Sequence, residues 1–360
     1  MIRWRKGTVE DIRREWPGAV ELNVSIEGDG AHRALAYPAL VGRPEPGDTV
    51  LLNTTALAMG LGTGGYAMVV AIPDRLPPDP AGPGHLVKAR YTPLQATVLG
   101  ADEQDSPHHD VLRDADSLDG MPVIVADLHS ALPPALAALL AERPGARIVY
   151  VMPDGGALPS WFSMSIARLK EAGALAATVT AGQAFGGDLE AVTVHTGLLA
   201  ARHILRADAA VLAQGPGNLG TGTRWGFSGV AAGEAVNAAS VLGGRPVGSL
   251  RVSEGDRRER HIGVSHHSLT AYGRVALAPA DIPVPELGGP FGARVAAGAA
   301  PLGDRHRLVP VPVDGLHETL SAAEKDWGVR LSTMGRRLDE DLPYFLTAAA
   351  AGRHTAALLG

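Results

Sequence analysis

The sequence predicts an α/β protein in which a small N-terminal β-barrel or sandwich domain precedes a doubly wound, mostly parallel sheet. Three observations predict it. Residues 1–72 hold short β-like segments between turn residues, and residues 73–84 are proline-rich. From residue 85 to 360, apolar runs take turns with stretches of helical periodicity. A chain of 360 residues exceeds the roughly 250–300 at which a single hydrophobic core stops growing, which also favours two domains.

The first part contains "GTVEDI", "AVELNVSI", "HRALAYPALV", "DTVLLNTTAL" and "YAMVVAI", separated by "WPG", "EGDG", "PEPGD" and "LGTGG". The stretch "PDRLPPDPAGPG" has five prolines in twelve residues, so it reads as a stiff, extended linker with no regular element. After it come "MPVIVA", "RIVYVM", "ALAATVT", "AAVLAQ" and "PVGSLRV". These lack alternation, as strands buried on both faces do. Between them "LPPALAALLAERPG", "LPSWFSMSIARLKEAG", "LEAVTVHTGLLAARHILRAD" and "SGVAAGEAVNAASVLGG" repeat their apolar positions at helical spacing. This alternation predicts a Rossmann-like domain, completed by the strand "RLVPVPV" and a C-terminal helix in "LDEDLPYFLTAAAAGRHTAALL".

Composition narrows the function. Hydrophobic residues make up 46% and charged residues 19%, as in a soluble globular protein. A net charge of −6 and sixteen scattered aromatic residues argue against nucleic acid as a partner. With no cysteine, disulfides, thiolate metal sites and thiol nucleophiles are excluded. The start "MIRWRKGTVEDIRREW" lacks the apolar core of a secretory signal, and no window approaches the ~20 apolar residues of a membrane span. A cytoplasmic protein without a membrane partner is the expectation.

In an open parallel sheet, ligands bind beyond the carboxyl ends of the strands. The helix-to-strand connections here, "ERPGA", "KEAGA", "RAD" and "GGR", are plain. The strand-to-helix connections are "DLHS", "PDGGALPS", "AGQAFGGD", "GPGNLGTGTRWGFS" and "SEGDRRERHIGVSHHS". Glycine, acid, amide and imidazole thus concentrate on one edge, for which stability alone gives no reason.

Two stretches carry most of the chemistry. "GPGNLGTGTRWGFSG", residues 215–229, contains Gly215-x-Gly217-x-x-Gly220, the dinucleotide spacing. The helix starts near Ser228 rather than at the third glycine, the strand is not the first of its domain, and no acid ends the next strand. A nicotinamide cofactor such as NAD is therefore disfavoured. What remains is an anion loop: Gly215, Gly217, Asn218, Gly220, Thr221, Gly222, Thr223 and Arg224 as backbone and side-chain donors, with Arg257 assisting. The simpler account is a long turn. In "RERHIGVSHHS", His261 and His266 could supply nitrogen to a divalent metal. His266 and His267 diverge by ~100° on a helix, which argues against both reaching one ion. Ser265 would be the helix N-cap.

The catalytic candidates are Asp127, His129, Asp154, His266 and His267, all placed on the loaded edge. The competing accounts are helix capping for Asp127 and a turn carboxylate for Asp154. Asp188 reads as an N-cap with Glu190 in the first helical turn. His108 and His109 read as an exposed loop pair, and His195 and His203 as packing or surface residues.

At "PDGGALPSW", "GQAFGGDLEAV", "GPGNLGTGTRWGFSG", "RHIGVSHHSLTAYGR" and "LLNTTALAMGLGTGGY" the chain resembles a bacterial family known as domain of unknown function 3866. The resemblance implies a shared architecture and carries no activity with it. The reading is a protein that binds a small anionic or phosphorylated ligand at its strand carboxyl ends. As a hydrolase or transferase, its Asp127 or Asp154 would orient the ligand and its His266 or His267 would move the proton. The other reading is a ligand-sensing or scaffold protein without turnover, assembled as a homo-oligomer.

Overall fold

A computed structural model describes residues 1–61 and 64–360. The chain divides into two units, Met1–Val98 and Leu99–Gly360. In the first, β1 (Trp4–Trp16), β2 (Ala19–Ile26), β3 (Gly30–Ala36), β4 (Thr49–Asn53) and β5 (Ala67–Ala71) close into a barrel in the order β1-β2-β3-β5-β4. Val20, Leu22, Val24 and Ile26 alternate along β2 and are buried with Val50, Leu52, Ala67 and Val69, as period-two patterning requires.

Two expected strands end early. "PALV" is the short helix α1 (Pro38–Val41) and "TALA" is α2 (Thr55–Ala58). Pro38 stands at the first turn of α1, where its missing N–H is harmless. Asn53 Oδ1 accepts from the Thr55 N–H at 3.1 Å at the start of α2. Of the turn "LGTGG", Gly62 and Thr63 lie outside the described residues. Residues 72–85 contain no helix or strand, and the antiparallel pair β6 (Leu86–Lys88) and β7 (Ala96–Val98) ends the unit.

The second unit runs α3 (His109–Leu112), β8 (Pro122–Ala126), α4 (Leu132–Glu142), β9 (Ile148–Met152), α5 (Met164–Glu171), β10 (Ala177–Ala181), β11 (Leu189–Ala191), α6 (Val194–His203) and β12 (Ala209–Ala213). It continues with α7 (Ala231–Val241), β13 (Arg245–Gly248), β14 (Val252–Ser253), β15 (Gly263–Val264), α8 (His266–Thr270), β16 (Asp281–Pro285), α9 (Gly289–Ala299), β17 (Arg307–Val311), α10 (Leu316–Trp327) and α11 (Leu342–Leu358). Eight strands form one sheet in the order β11-β10-β9-β12-β8-β13-β16-β17, and every pairing in it is parallel.

Why the strand runs do not alternate is plain from their surroundings. Val123, Val125, Val149, Val151, Val179 and Leu212 meet one core, capped by α6, α7 and α9. Ile124, Ala126, Ile148, Tyr150, Met152 and Val211 meet the other, capped by α4, α5 and α11. Both faces are covered, so both must be apolar.

Two strands differ from expectation. Residues 189–191 form β11 rather than the start of a helix, and α6 begins at Val194 with Thr193 as its cap. Asp188 is therefore no N-cap: its carboxylate accepts from the Thr178 N–H at 2.7 Å and from Lys170 at 2.5 Å. Glu190 sits in the strand and accepts from Thr180 Oγ1 at 2.7 Å and the Gly186 N–H at 2.7 Å. β16, "DIPVP", escapes pattern reading because two of its five residues are proline, which usually argues against a strand within a sheet.

Helices α4 and α11 approach closely where Gly352 faces the Ala135 carbonyl, and a Cβ there would overlap it. Gly352→Ala should destabilise the protein by about 1–3 kcal/mol through overpacking. A lower urea midpoint at unchanged slope would bear this out; an unchanged midpoint would show that the helices can move apart freely.

Candidate functional site

Buried tyrosines hold the carboxyl ends of the central strands. Tyr272 Oη lies 2.8 Å from the Val125 carbonyl and 3.0 Å from that of Ser249, bridging the ends of β8 and β13. Tyr150 Oη lies 2.9 Å from the Ala213 carbonyl and 3.0 Å from that of Gln214, at the end of β12. Burial pushes both phenols well above their ordinary pKa, so both remain protonated donors.

On these ends stand Asp127, Gln214 and Arg251. Gln214 Nε2 donates to the Asp127 carbonyl at 2.6 Å and to Asn218 Oδ1 at 3.2 Å. Asp127 is 5% exposed, and its Oδ2 has no hydrogen-bond partner; the same holds for Gln214 Oε1. Asp127 does not cap a helix, since Leu128 and Ala131 occupy the cap positions. The chain returns close against it at Gly229, where a Cβ would come within 2.9 Å of the Asp127 Cβ.

The segment 253–268 brings the imidazoles in. Ser265 caps α8 by accepting from the His267 N–H at 3.2 Å, and its Oγ also lies 2.7 Å from His261 Nδ1. The rings of His261, His266 and His267 stand 4.4–5.0 Å apart between centroids. One ring nitrogen from each lies within 4.8 Å of the others. The divergence expected of adjacent helical residues describes Cβ directions; in the first turn of a five-residue helix the two side chains still meet His261. Phe227 stacks on His267 at 3.7 Å with the rings 5° from parallel.

Arg251 is 2% exposed, and its Nη1 donates to His267 Nδ1 at 3.2 Å. Its Nη2 lies 3.6 Å from Asp256 Oδ2 and makes no hydrogen bond. Asp256 receives both Nε and Nη2 of Arg258, at 2.9 and 2.8 Å, which holds its carboxyl far below the usual carboxylate range. Burial, reinforced by Arg251 and Arg258, lowers His261 to about 3. Burial and the neighbouring His267 lower His266 to about 4. Both rings are neutral at physiological pH, with lone pairs available and little use as proton carriers there.

The glycine-rich loop folds on itself as an arm. Ser228 N–H donates to the Leu219 carbonyl at 2.9 Å, Thr221 N–H to the Gly226 carbonyl at 2.7 Å, and Gly226 N–H to Thr223 Oγ1 at 3.1 Å. Gly217 and Gly222 take positive φ, and Gly220 stands opposite Phe227. Asn218 Oδ1 also accepts from Ser228 Oγ at 2.9 Å. Much of the donor capacity expected of an anion cradle is thus used within the arm. Arg224 and Arg257 are exposed. Arg260 reaches the arm from the neighbouring segment, with Nη2 3.8 Å from where a Gly222 Cβ would be.

Asp154 lies in the turn after β9 and its Oδ2 accepts from the Gln183 N–H at 3.1 Å. Gly155 and Gly156 pack on Gln214 and Gly215, joining this loop to the arm's base. His129 is set apart from the imidazole cluster, between Ser163 Oγ at 2.7 Å and Tyr150 Oη at 3.1 Å. His109 begins α3 rather than lying in a loop, with Nδ1 2.8 Å from the Asp102 carbonyl. His203 Nε2 lies 2.7 Å from the Ser117 carbonyl, and His195 is exposed.

A family model described as "Protein of unknown function (DUF3866)" matches residues 33–352. The chain belongs to this family. The DUF3866 match includes all of the loops just described. No curated protein and no solved structure gives a match. Among the described residues, no helix is long and apolar enough to cross a membrane.

His129 supplies a pH test of this edge. Burial lowers it from 6.5 to about 4, so its contribution is complete above pH 6.5 and is lost as the pH falls through about 4. The unfolded chain takes up the proton first, at a cost to the fold on the order of 3 kcal/mol. The difference in melting temperature between wild type and His129→Gln should therefore shrink between pH 6.5 and 4. A constant difference would remove His129 from the acid response.

Proposed function

We propose that the loops at the carboxyl ends of β8, β12 and β13 bind a small anionic or phosphorylated ligand, and that the protein is a hydrolase or transferase acting on it. The observation that carries this reading is Arg251, a guanidinium 2% exposed whose Nη2 has no hydrogen-bond partner. Buried donors of this kind are nearly always satisfied, and an anion is the strongest acceptor for one. Arg260, beside Gly222, adds positive charge where the arm meets this edge. Asp127 Oδ2, 3.7 Å from His267 Nδ1 and without a hydrogen-bond partner, supports a role for this carboxylate in orienting that ring when a ligand binds.

The second reading, a ligand-sensing or self-associating protein without turnover, draws on the arm itself. Leu219 is 72% and Trp225 55% exposed there, which suits a contact surface better than a chemical step.

Titration calorimetry with inorganic phosphate, pyrophosphate and p-nitrophenyl phosphate tests the proposal. The exposed Arg260→Gln variant should bind about fivefold more weakly, the loss of one charge-assisted contact, with an unchanged melting temperature. Release of p-nitrophenolate would select the enzyme, and binding without release the sensor. Wild-type protein that binds none of these anions at millimolar concentration would overturn both ligand-binding readings.

A further inference from the structure

We propose that His261, His266 and His267 form a three-imidazole centre for a divalent transition metal of the zinc class. The inference shares an edge of the sheet with the anion reading but does not depend on it. One nitrogen from each ring lies within 4.8 Å of the other two. Ligation at about 2.0–2.1 Å in a tetrahedron would draw them to about 3.3 Å, a movement within reach of small ring rotations.

Two further observations point to a ligand here. His266 Nε2 is buried without a hydrogen-bond partner, although imidazole nitrogens in protein interiors normally have one. Asp127, 5% exposed, has an unpartnered Oδ2 at 3.7 Å from His267 Nδ1. Binding a metal through Nε2 would move the ring proton to Nδ1, exchanging the Arg251 Nη1 contact of the free protein for a hydrogen bond to this carboxylate, the outer-shell arrangement that orients ligating histidines. Ser265 does the same service for His261, its Oγ standing 2.7 Å from Nδ1.

The donor set selects the metal. Three neutral nitrogens without thiolate suit zinc, cobalt or nickel, whereas magnesium and calcium require oxygen. Three protein ligands leave a fourth position open, as catalytic sites do and structural ones do not. Arg251 opposes a cation here, but Asp127 and Asp256 flank it, and Arg258 is neutralised by its two bonds to Asp256.

The test uses the full chain, stripped with a chelator and titrated with zinc chloride in phosphate-free buffer. Wild type should bind one ion per chain with a dissociation constant on the order of 1 μM or tighter. Its cobalt-loaded form should show the visible absorption of a tetrahedral nitrogen site. His266→Gln, at a half-buried residue, should weaken binding at least about 100-fold, and Asp127→Asn about 10–100-fold, the range for outer-shell partners. Circular dichroism of the metal-free variants establishes that they are folded. Wild type that takes up no zinc, or folded His266→Gln and His267→Gln that bind it as tightly as wild type, would overturn the inference. Because phosphate is absent, metal binding without anion binding would sink the anion reading alone, and anion binding without metal would sink this one alone.

Discussion

The site edge is organised around one buried cation. Arg251 lies where β13 leaves the sheet, almost without contact with water, and everything near it is arranged to tolerate its charge. Asp256 lies 3.6 Å away and is shared with Arg258 and Arg336, while Asp341 accepts from Arg336 at 2.9 Å and from Ser253 Oγ at 2.6 Å. Asp341 immediately precedes α11, so the chain of charges joins that helix to the loop carrying the imidazoles. Removing one partner of such a chain would leave a buried charge uncompensated, which is far more destabilising than the pair is stabilising. The network fixes the position of His267 more than it adds to stability.

The two-sided core explains why this network sits at the strand ends. Along β8, β9 and β12 successive residues enter opposite apolar cores, leaving no place within the sheet for a polar side chain without a partner. Polar groups begin just past these strands: Asp127 directly after Ala126, Gln214 directly after Ala213, and Asp154 two residues past Met152. There Tyr150 lies within hydrogen-bond reach of the Ala213 and Gln214 carbonyls and Tyr272 within reach of those of Val125 and Ser249, adding side-chain donors to the strand ends. The same buried hydroxyls thus tie together the strand ends from which Asp127, Gln214 and Arg251 follow.

Much of this was legible in the sequence, for identifiable reasons. Uninterrupted runs such as "RIVYVM" announce strands covered on both faces, and the contrast between plain and chemically loaded connections locates the edge. Strand β16 was hidden by its prolines and β11 by its three-residue length. In the site, the imidazoles are neighbours in sequence and were easy to single out. Arg251 is masked inside the apolar-looking "PVGSLRV", Gln214 closes the strand-like run "AAVLAQ", and Phe227 stands in the glycine-rich stretch without a signal of its own. Their roles depend on contacts between segments far apart in the chain, which no local pattern encodes. A charged residue closing an apolar run before a turn is the one signal that could have drawn attention to Arg251.

The glycine-rich arm shows how a motif can be read correctly in place and differently in purpose. Its glycines do serve geometry: Gly217 and Gly222 occupy left-handed conformations, and the base of the arm fits because Gly229 lies tight against Asp127. The Thr221 and Gly226 N–H groups bond within the arm, which leaves it fewer backbone donors to offer than an open phosphate loop has. Its firm contribution to the site is Phe227, whose ring covers one face of His267 and shields it from solvent. Shielding lowers the local dielectric around the imidazoles and strengthens every charge interaction they make. The arm thus acts on the edge through packing, and in the proposed function the charged recognition falls to the arginines of the neighbouring segment.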